Sequence, residues 1–351
     1  MKKKVIIAIS GGVDSSVSAL LLLQQGYSVE AIFMKNWIEE EQFCSFNKDL
    51  KYVKIICKKL KIKLHVIEFA DEYWNNVFCK SIILFNKGYT PNPDILCNKE
   101  IKFNVLLKYI LSIKMSYLAT GHYIEKIKIN KIYYLLKNKD IKKDQSYFLH
   151  MVSQIALKKS IFPIGHLYKI IVRKIASYCN FANALKKDST GICFIGKKKF
   201  NFFIKNYIIE KKGLLLNEKK NIISKHDGVM FYTIGQKYIL NSIKLNSFKP
   251  FYVYKKNIIK NFVFICEGNV NLNLFKKELT VNKINWMSKL YHKNGICMSK
   301  IRHQGYINNC IIVLHKKNIL IRFKIKQRAI ASKQSIVFYK NKVCLGGSYI
   351  N

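Results

Sequence analysis

The sequence predicts an α/β protein whose first part is a parallel sheet covered by helices on both faces, followed by two small β-rich domains. Three observations carry this expectation. Short apolar runs alternate with helix-patterned segments through the first half of the chain. Each conspicuous polar cluster of that half follows the end of an apolar run, where parallel sheets hold their ligands. Beyond about residue 200 the segments become short, β-branched or aromatic, and are separated by Asn, Lys and Gly turns.

The elements follow in order. Val5–Ser10 is an apolar run closed by Gly11-Gly12, and Val13, Val17, Leu20 and Leu21 then recur at helical spacing until Gly26, a natural C-terminal stop. Val29–Met34 and Leu64–Phe69 read as buried strands with a helix over Asp49–Leu60 between them. Tyr117–Thr120 follows a helix expected over Lys99–Leu111. In the second half, Gly228–Thr233, Pro250–Tyr254, Phe262–Cys266, Ile311–Leu314, Ile319–Ile325 and Ser335–Phe338 read as strands. The expected domains are 1–200, 201–275 and 276–351, a division that suits 351 residues.

Charge narrows the partners. The chain has 62 Lys+Arg against 20 Asp+Glu, a formal net charge of +42, which favours a polyanion. All but four of the cations are lysine, the exceptions being Arg173, Arg302, Arg322 and Arg328. Drift toward A/T-rich codons therefore shares the explanation with nucleic-acid binding. No apolar run reaches the roughly 18 residues of a membrane span, so no membrane partner is expected. Lys2–Lys4 and the apolar run after them imitate a signal peptide, but Gly11, Gly12 and Asp14 interrupt it, and a cytoplasmic protein is expected. Ten cysteines without a C-x-x-C pair exclude a zinc ribbon and argue against a disulfide scaffold.

Ser10-Gly11-Gly12-Val13-Asp14-Ser15-Ser16 has the makings of a phosphate cradle. The glycines let backbone N–H groups approach an anion, the following helix adds its partial positive charge, and the serines add donors. It is neither G-x-x-x-x-G-K-[ST] nor G-x-G-x-x-G. Thr90-Pro91-Asn92-Pro93-Asp94-Ile95-Leu96-Cys97 places a thiol at the expected start of a helix beside Lys99 and Lys102, a setting that favours thiolate. A second cysteine, Cys193, lies in the glycine-bearing run 188–196. Cys57, Cys179, Cys266, Cys310 and Cys344 sit among apolar neighbours and read as packing residues.

The first of these strings resembles the loop of the PP-loop ATP pyrophosphatases. With Phe33–Trp37, Ala119–Tyr123, Lys143–Leu149 and the loops around both cysteines, the chain resembles the bacterial tRNA-specific 2-thiouridylases in collinear order. The resemblance implies adenylation of the C2 carbonyl of wobble uridine by ATP and replacement of its oxygen by sulfur. It implies Cys97 as nucleophile, Cys193 as persulfide carrier, a transient disulfide between them, and Asp94 as candidate acid or base. It implies ATP at Ala8, Ile9, Ser10, Gly11, Gly12, Val13, Asp14, Ser15, Met34 and Gly121, with Mg²⁺ near Asp14. The target base would meet Asn92, Pro93 and Asp94. The tRNA would meet His122, Lys143, Asp144, Gln145, Arg302, His303 and Gln334, and the sulfur would come from a persulfide-relay protein or cysteine desulfurase. Lys237-Tyr238-Ile239-Leu240, His303 and Lys333 depart from the family pattern. Two rivals remain at this stage: a PP-loop enzyme using a nitrogen nucleophile, which needs neither cysteine, and a non-catalytic RNA-binding relative.

Overall fold

The computed structural model describes residues 2–37, 46–188, 200–238, 249–287, 295–315 and 318–351. Cys193, the run around it and Glu39–Glu41 lie outside the described residues.

The first sheet is built from β1 (Lys4–Ala8), β2 (Ser28–Lys35), β3 (Leu64–Glu68), β4 (Tyr117–Thr120) and β7 (Ser160–Ile161). It is parallel throughout, in the order β3-β2-β1-β4-β7. Helices α1 (Val13–Gln24) and α2 (Phe46–Leu60) make the crossovers on one side of β1. Two longer helical stretches connect β3 to β4. One comprises α3 (Ala70–Tyr73), a π-helical segment Trp74–Phe78 and α4 (Cys79–Asn86). The other comprises α5 (Pro93–Leu96), a π-helical segment Cys97–Val105 and α6 (Leu106–Ser112). Further on come α7 (Gln154–Lys158), α8 (Lys169–Tyr178) and α9 (Phe200–Lys205).

Both faces of the sheet are buried, which explains why its strands read as unbroken apolar runs. Val5 and Ile7 face one core with α1, α2 and α8, while Ile6 and Ile32 face the other with the helices of 70–112. That second core does not stop at the domain. It takes in Met287, Val337, Tyr339 and Cys344 from the far end of the chain.

The second sheet holds β8 (Gly213–Leu216), β9 (Ile222–His226), β10 (Lys237–Tyr238), β11 (Phe251–Asn257) and β12 (Phe262–Glu267), in the order β10-β11-β12-β8-β9. The third is built from β13 (Phe275–Val281), β14 (Asn285–Trp286), β15 (Ile296–Lys300), β16 (Asn308–His315), β17 (Asn318–Arg328), β18 (Ser335–Lys340) and β19 (Val343–Tyr349). Two more strands, β5 (Ile124–Ile129) and β6 (Ile132–Lys137), come to it from the first part of the chain, and Leu135 and Leu136 pair with Cys344 and Val343. Its order is β13-β17-β16-β15-β18-β19-β6-β5, with β14 paired to β19.

Two expectations need correction. Gly228–Thr233 is not a strand: Gly228 has φ +151° and Val229–Phe231 forms a 3₁₀ turn, the N–H groups of Gly228 and Val229 being taken by the side chains of His226 (3.0 Å) and Asn261 (3.1 Å) rather than by a neighbouring strand. The helix expected from Lys99 begins at Pro93, so Cys97 lies beyond its first four residues rather than at its start. Asn92 caps that helix, its side-chain oxygen accepting from the N–H groups of Asp94 (3.1 Å) and Ile95 (3.4 Å), and Pro93 occupies the first helical position.

Candidate active site

The loop after β1 turns at Gly11, whose φ of +72° suits glycine and whose absent side chain leaves room for the Asp49 carbonyl. Gly12 is the N-cap of α1 and has no side chain with which to bind the first-turn N–H groups. Ser15 instead folds back: its hydroxyl accepts from the Ser10 N–H (3.2 Å) and donates to the Gly12 carbonyl (3.1 Å), while Ser16 donates to the same carbonyl. The result is a concave backbone at a helix N-terminus, the arrangement that binds phosphate. Gly121, just after β4, closes against it. A Cβ there would lie 2.8 Å from the Ser15 nitrogen and 2.9 Å from the Asp14 carbonyl carbon. From β2, Met34 reaches the same edge of the sheet, packed against the core that contains Cys97. Asn183 ties the loop from behind, donating to the Gly11 carbonyl (3.1 Å) and the Ser16 hydroxyl (2.9 Å).

Asp14 is enclosed by partners that the sequence did not announce. Its carboxylate accepts from the Tyr123 hydroxyl at 2.7 Å and from Lys169 Nζ at 2.7 and 2.8 Å. Lys169 is nearly buried and also meets Asp188 at 2.7 Å, and Asp188 takes further ion pairs from Lys143 and Arg173 at 2.7 Å each. Burial pushes the Asp188 carboxyl up, but the bonds and charges of Lys143 and Lys169 outweigh it and hold the group at about 2. Lys169 and Arg173 carried no functional signal in the sequence, and Asp188 stood there only as the first residue of the run that holds Cys193. Tyr123 was quoted in a motif without a role.

Cys97 is buried to within 1% of full enclosure in the core shared by both ends of the chain. Its loop setting in the sequence thus becomes an apolar setting in the fold, within a π-helical segment, a form of helix often found at functional positions. The same segment presents Phe103 to His122 with ring centroids 5.8 Å apart. His122 is buried, its Nδ1 2.8 Å from the Thr120 hydroxyl. Burial, aided by the charge of Lys102, holds its pKa well below the ordinary value, so the ring is neutral.

The residues expected to meet RNA come together from distant parts of the chain. His303 Nε2 lies 3.1 Å from the Asp144 carbonyl, and its ring packs against Phe148 with centroids 4.4 Å apart and planes tilted by 39°. Burial lowers its pKa, with the Asp94 charge acting in the opposite direction. The Thr90 N–H donates to the Ser332 carbonyl (3.3 Å), and Lys333 lies over the Tyr89 ring (5.5 Å). The turn holding Gln334 therefore abuts the Asn92–Asp94 loop. Several members serve the fold as well. Asp144 is buried and accepts from the backbone of Asn138 and the hydroxyl of Ser146. Gln145 accepts from the Tyr123 N–H at 2.9 Å. Arg302 donates to the carbonyls of Ile234 (2.5 Å) and Ala329 (2.9 Å), joining the central and C-terminal sheets. Gln334 takes the Ile350 N–H through its backbone.

Among the described residues no group of three or more His, Cys, Asp or Glu could hold a metal ion. Asp14 is a single carboxylate with both oxygens already engaged. That donor set suits only a cation carried chiefly by phosphate oxygens, with one protein ligand. Among the described residues no helix is long and apolar enough to cross a membrane.

A phosphate loop at the carboxyl end of the first strand of a five-stranded parallel sheet, followed along the chain by two further β sheets, defines a PP-loop nucleotide enzyme with appended β modules. Family models agree in succession along the chain: the tRNA methyl transferase HUP domain over residues 3–197, the tRNA methyl transferase PRC-barrel domain over 201–267 and the aminomethyltransferase beta-barrel domain over 276–350. The chain is 47% identical to the tRNA-specific 2-thiouridylase MnmA of Buchnera aphidicola subsp. Acyrthosiphon pisum, covering 99% of this chain and 96% of that one. It is 45% identical to the enzyme of that name from Vesicomyosocius okutanii (99% and 97% covered) and 42% to that of Legionella pneumophila strain Paris (100% and 99%). The chain belongs to the tRNA-specific 2-thiouridylase MnmA family.

Proposed function

We propose that this protein is a tRNA 2-thiouridylase, an ATP-dependent sulfurtransferase that converts the wobble uridine of tRNA to 2-thiouridine. The observation that carries the reading is convergence. The phosphate loop is linked to the C-terminal part of the chain through Tyr123, which bonds Asp14 and Gln145, and through His303 against the Asp144 carbonyl, while the segment leading into the Asn92-capped helix meets the Ser332–Lys333 turn.

In this reading the Ser10–Ser15 loop and Gly121 hold the phosphates of ATP, with Ala8, Ile9 and Met34 lining the nucleotide. Asp14 would hold the Mg²⁺ that accompanies ATP, and the ion would neutralise phosphate charge. Asn92, Pro93 and Asp94 receive the uridine, which must leave its stack to be read on an edge. Lys143, Gln145, Arg302, His303 and Gln334 would meet the RNA, with the buried His122 and Asp144 supporting them from beneath. The uracil O2 takes the adenylyl group and pyrophosphate leaves. The terminal sulfur of a Cys193 persulfide then attacks C2, and AMP departs with the former oxygen. The Cys97 thiolate then attacks the Cys193 sulfur, breaking its bond to the transferred sulfur, which keeps the electron pair and stays on C2 as the thiocarbonyl, and the resulting Cys97–Cys193 disulfide is later opened by a thiol reductant. We further propose a persulfide-carrying relay protein or cysteine desulfurase as sulfur donor, a cytoplasmic setting, and functional units at 1–200, 201–275 and 276–351.

The test incubates the purified chain with ATP, Mg²⁺, a persulfide source and unmodified tRNA, and seeks 2-thiouridine, AMP and pyrophosphate by mass spectrometry. Full turnover in both Cys97→Ser and Cys193→Ser would point to a nitrogen nucleophile. RNA binding without ATP consumption would point to a non-catalytic relative. Either outcome overturns the proposal.

A further inference from the structure

Asp188 is bound by more cations than a surface carboxylate ordinarily gathers. One oxygen takes Lys169 and Arg173, the other takes Lys143, each at 2.7 Å. The three donors face different ways. Lys169 leads α8, its backbone N–H donates to Asp140 (3.1 Å), and its ammonium also grips Asp14 in the first turn after the phosphate loop. Lys143 stands in the Lys143–Gln145 segment, beside the carbonyl that meets His303, and its side chain is 38% exposed. Arg173 anchors the arrangement to the chain behind it, donating to the carbonyls of Ala184 and Lys186 at 3.1 Å.

A lysine side chain has four flexible bonds, and fixing it when a phosphate arrives costs affinity. A carboxylate that already holds the ammonium in place removes much of that cost, provided the ammonium keeps a donor hydrogen for the ligand. Lys143 presents three such hydrogens and uses one on Asp188. Lys169, shared between Asp14 and Asp188, is held from two sides.

We propose that Asp188 is a positioning residue that fixes two cations at once, Lys169 against the nucleotide loop and Lys143 on the RNA-facing side, so that one carboxylate sets the affinity for both substrates. This rests on the thiouridylase reading for the identity of those substrates. It adds a residue that touches neither of them and acts through the two lysines.

The test measures two dissociation constants on the full chain: α,β-methylene-ATP with Mg²⁺ by calorimetry, and unmodified tRNA by filter binding. Asp188→Asn should weaken both, each by about 3- to 10-fold, the range expected when one long side chain loses its fixed position. Lys169→Gln should weaken the nucleotide alone, and Lys143→Gln the tRNA alone. Adding Asp188→Asn to Lys143→Gln should cost less than about twofold further in tRNA binding, because the route through Lys143 is already gone. A merely structural role predicts equal losses whichever lysine is present, with a fall in melting temperature to match. The proposal is overturned if Asp188→Asn leaves both constants within twofold, or if its effect persists undiminished without the lysines. Should Asp188→Asn not fold, the ligand-selective losses in the two lysine variants decide, and absence of either loss overturns it. Formation of 2-thiouridine by the unaltered chain reports separately on the thiouridylase reading, since the two binding constants do not depend on turnover.

Discussion

Replacing Gly121 by alanine tests whether the phosphate loop is shaped by the strand end that abuts it. The added methyl would sit 2.8 Å from the Ser15 nitrogen and 2.9 Å from the Asp14 carbonyl carbon, both main-chain atoms that no rotamer change can move aside. Ordinary contact begins near 3.4 Å, so the first turn of α1 must shift by about half an ångström or the β4 end must retreat. Overpacking of this kind costs about 1–3 kcal/mol. If the cost falls on the loop that receives the phosphates, nucleotide affinity drops by about 5- to 150-fold, at 1.4 kcal/mol per factor of ten. Gly26→Ala supplies the contrast. Gly26 has φ +81° and nothing within 4 Å of the place a methyl would take, so alanine there meets only backbone strain, about 1–2 kcal/mol, at the far end of the same helix. Calorimetry with α,β-methylene-ATP and thermal melts should show both variants less stable and only Gly121→Ala impaired in nucleotide binding. Wild-type affinity in Gly121→Ala, or equal impairment in both, would refute the argument.

Three other outcomes are expected. Cys97→Ser should abolish 2-thiouridine formation while tRNA affinity, measured by filter binding, stays within about threefold, because base chemistry and phosphate contacts are separable; parallel loss of both would contradict this. His150 donates through Nδ1 to the Tyr147 carbonyl at 2.8 Å, and burial holds its pKa down at about 4. The folded form therefore keeps the ring neutral while the unfolded chain takes up a proton near 6.5. Its contribution is complete above that pH and is lost as pH falls toward 4, by about 3 kcal/mol. Urea unfolding at pH 7 and pH 4 should show a smaller acid loss in His150→Gln than in the unaltered chain, and equal losses would exclude it. With a net charge of +42, tRNA binding should weaken steeply between low and physiological salt, and a flat titration would assign the charge to composition alone.

The parallel sheet and its phosphate loop were legible because their signals are local. Gly-Gly after an apolar run, followed by helical spacing, specifies a strand, a turn and a helix within some twenty residues. The start of the Cys97 helix was legible too, but in a different place: Asn92-Pro93 is a cap followed by a first-turn proline, and that pair starts the helix before the segment from Lys99 on which the expectation rested. The ion cluster was not legible. Lys169 and Asp188 acquire meaning only through tertiary contact, and one lysine among so many has no distinguishing pattern. Nor was the β5–β6 hairpin, since its turn residues Asn130 and Lys131 both take positive φ, and lysine is a poor advertisement for such a turn. The burial of Cys97 escaped for a related reason: the polar residues on either side, Asn92, Asp94, Asn98 and Lys99, masked its place on the apolar face of Ile95 and Ile101, and the rest of its enclosure comes from distant parts of the chain.

The β6 edge has a consequence for synthesis. On the side away from β5, Leu135 and Leu136 find their strand partners at Cys344 and Val343, some two hundred residues later. At about 5–20 residues per second, a ribosome leaves that apolar border unmatched for about 10–40 seconds after it emerges. Nascent chains are thus most exposed to mispairing just before the final strand appears, and a truncation that removes Val343–Tyr349 would keep the border open for good.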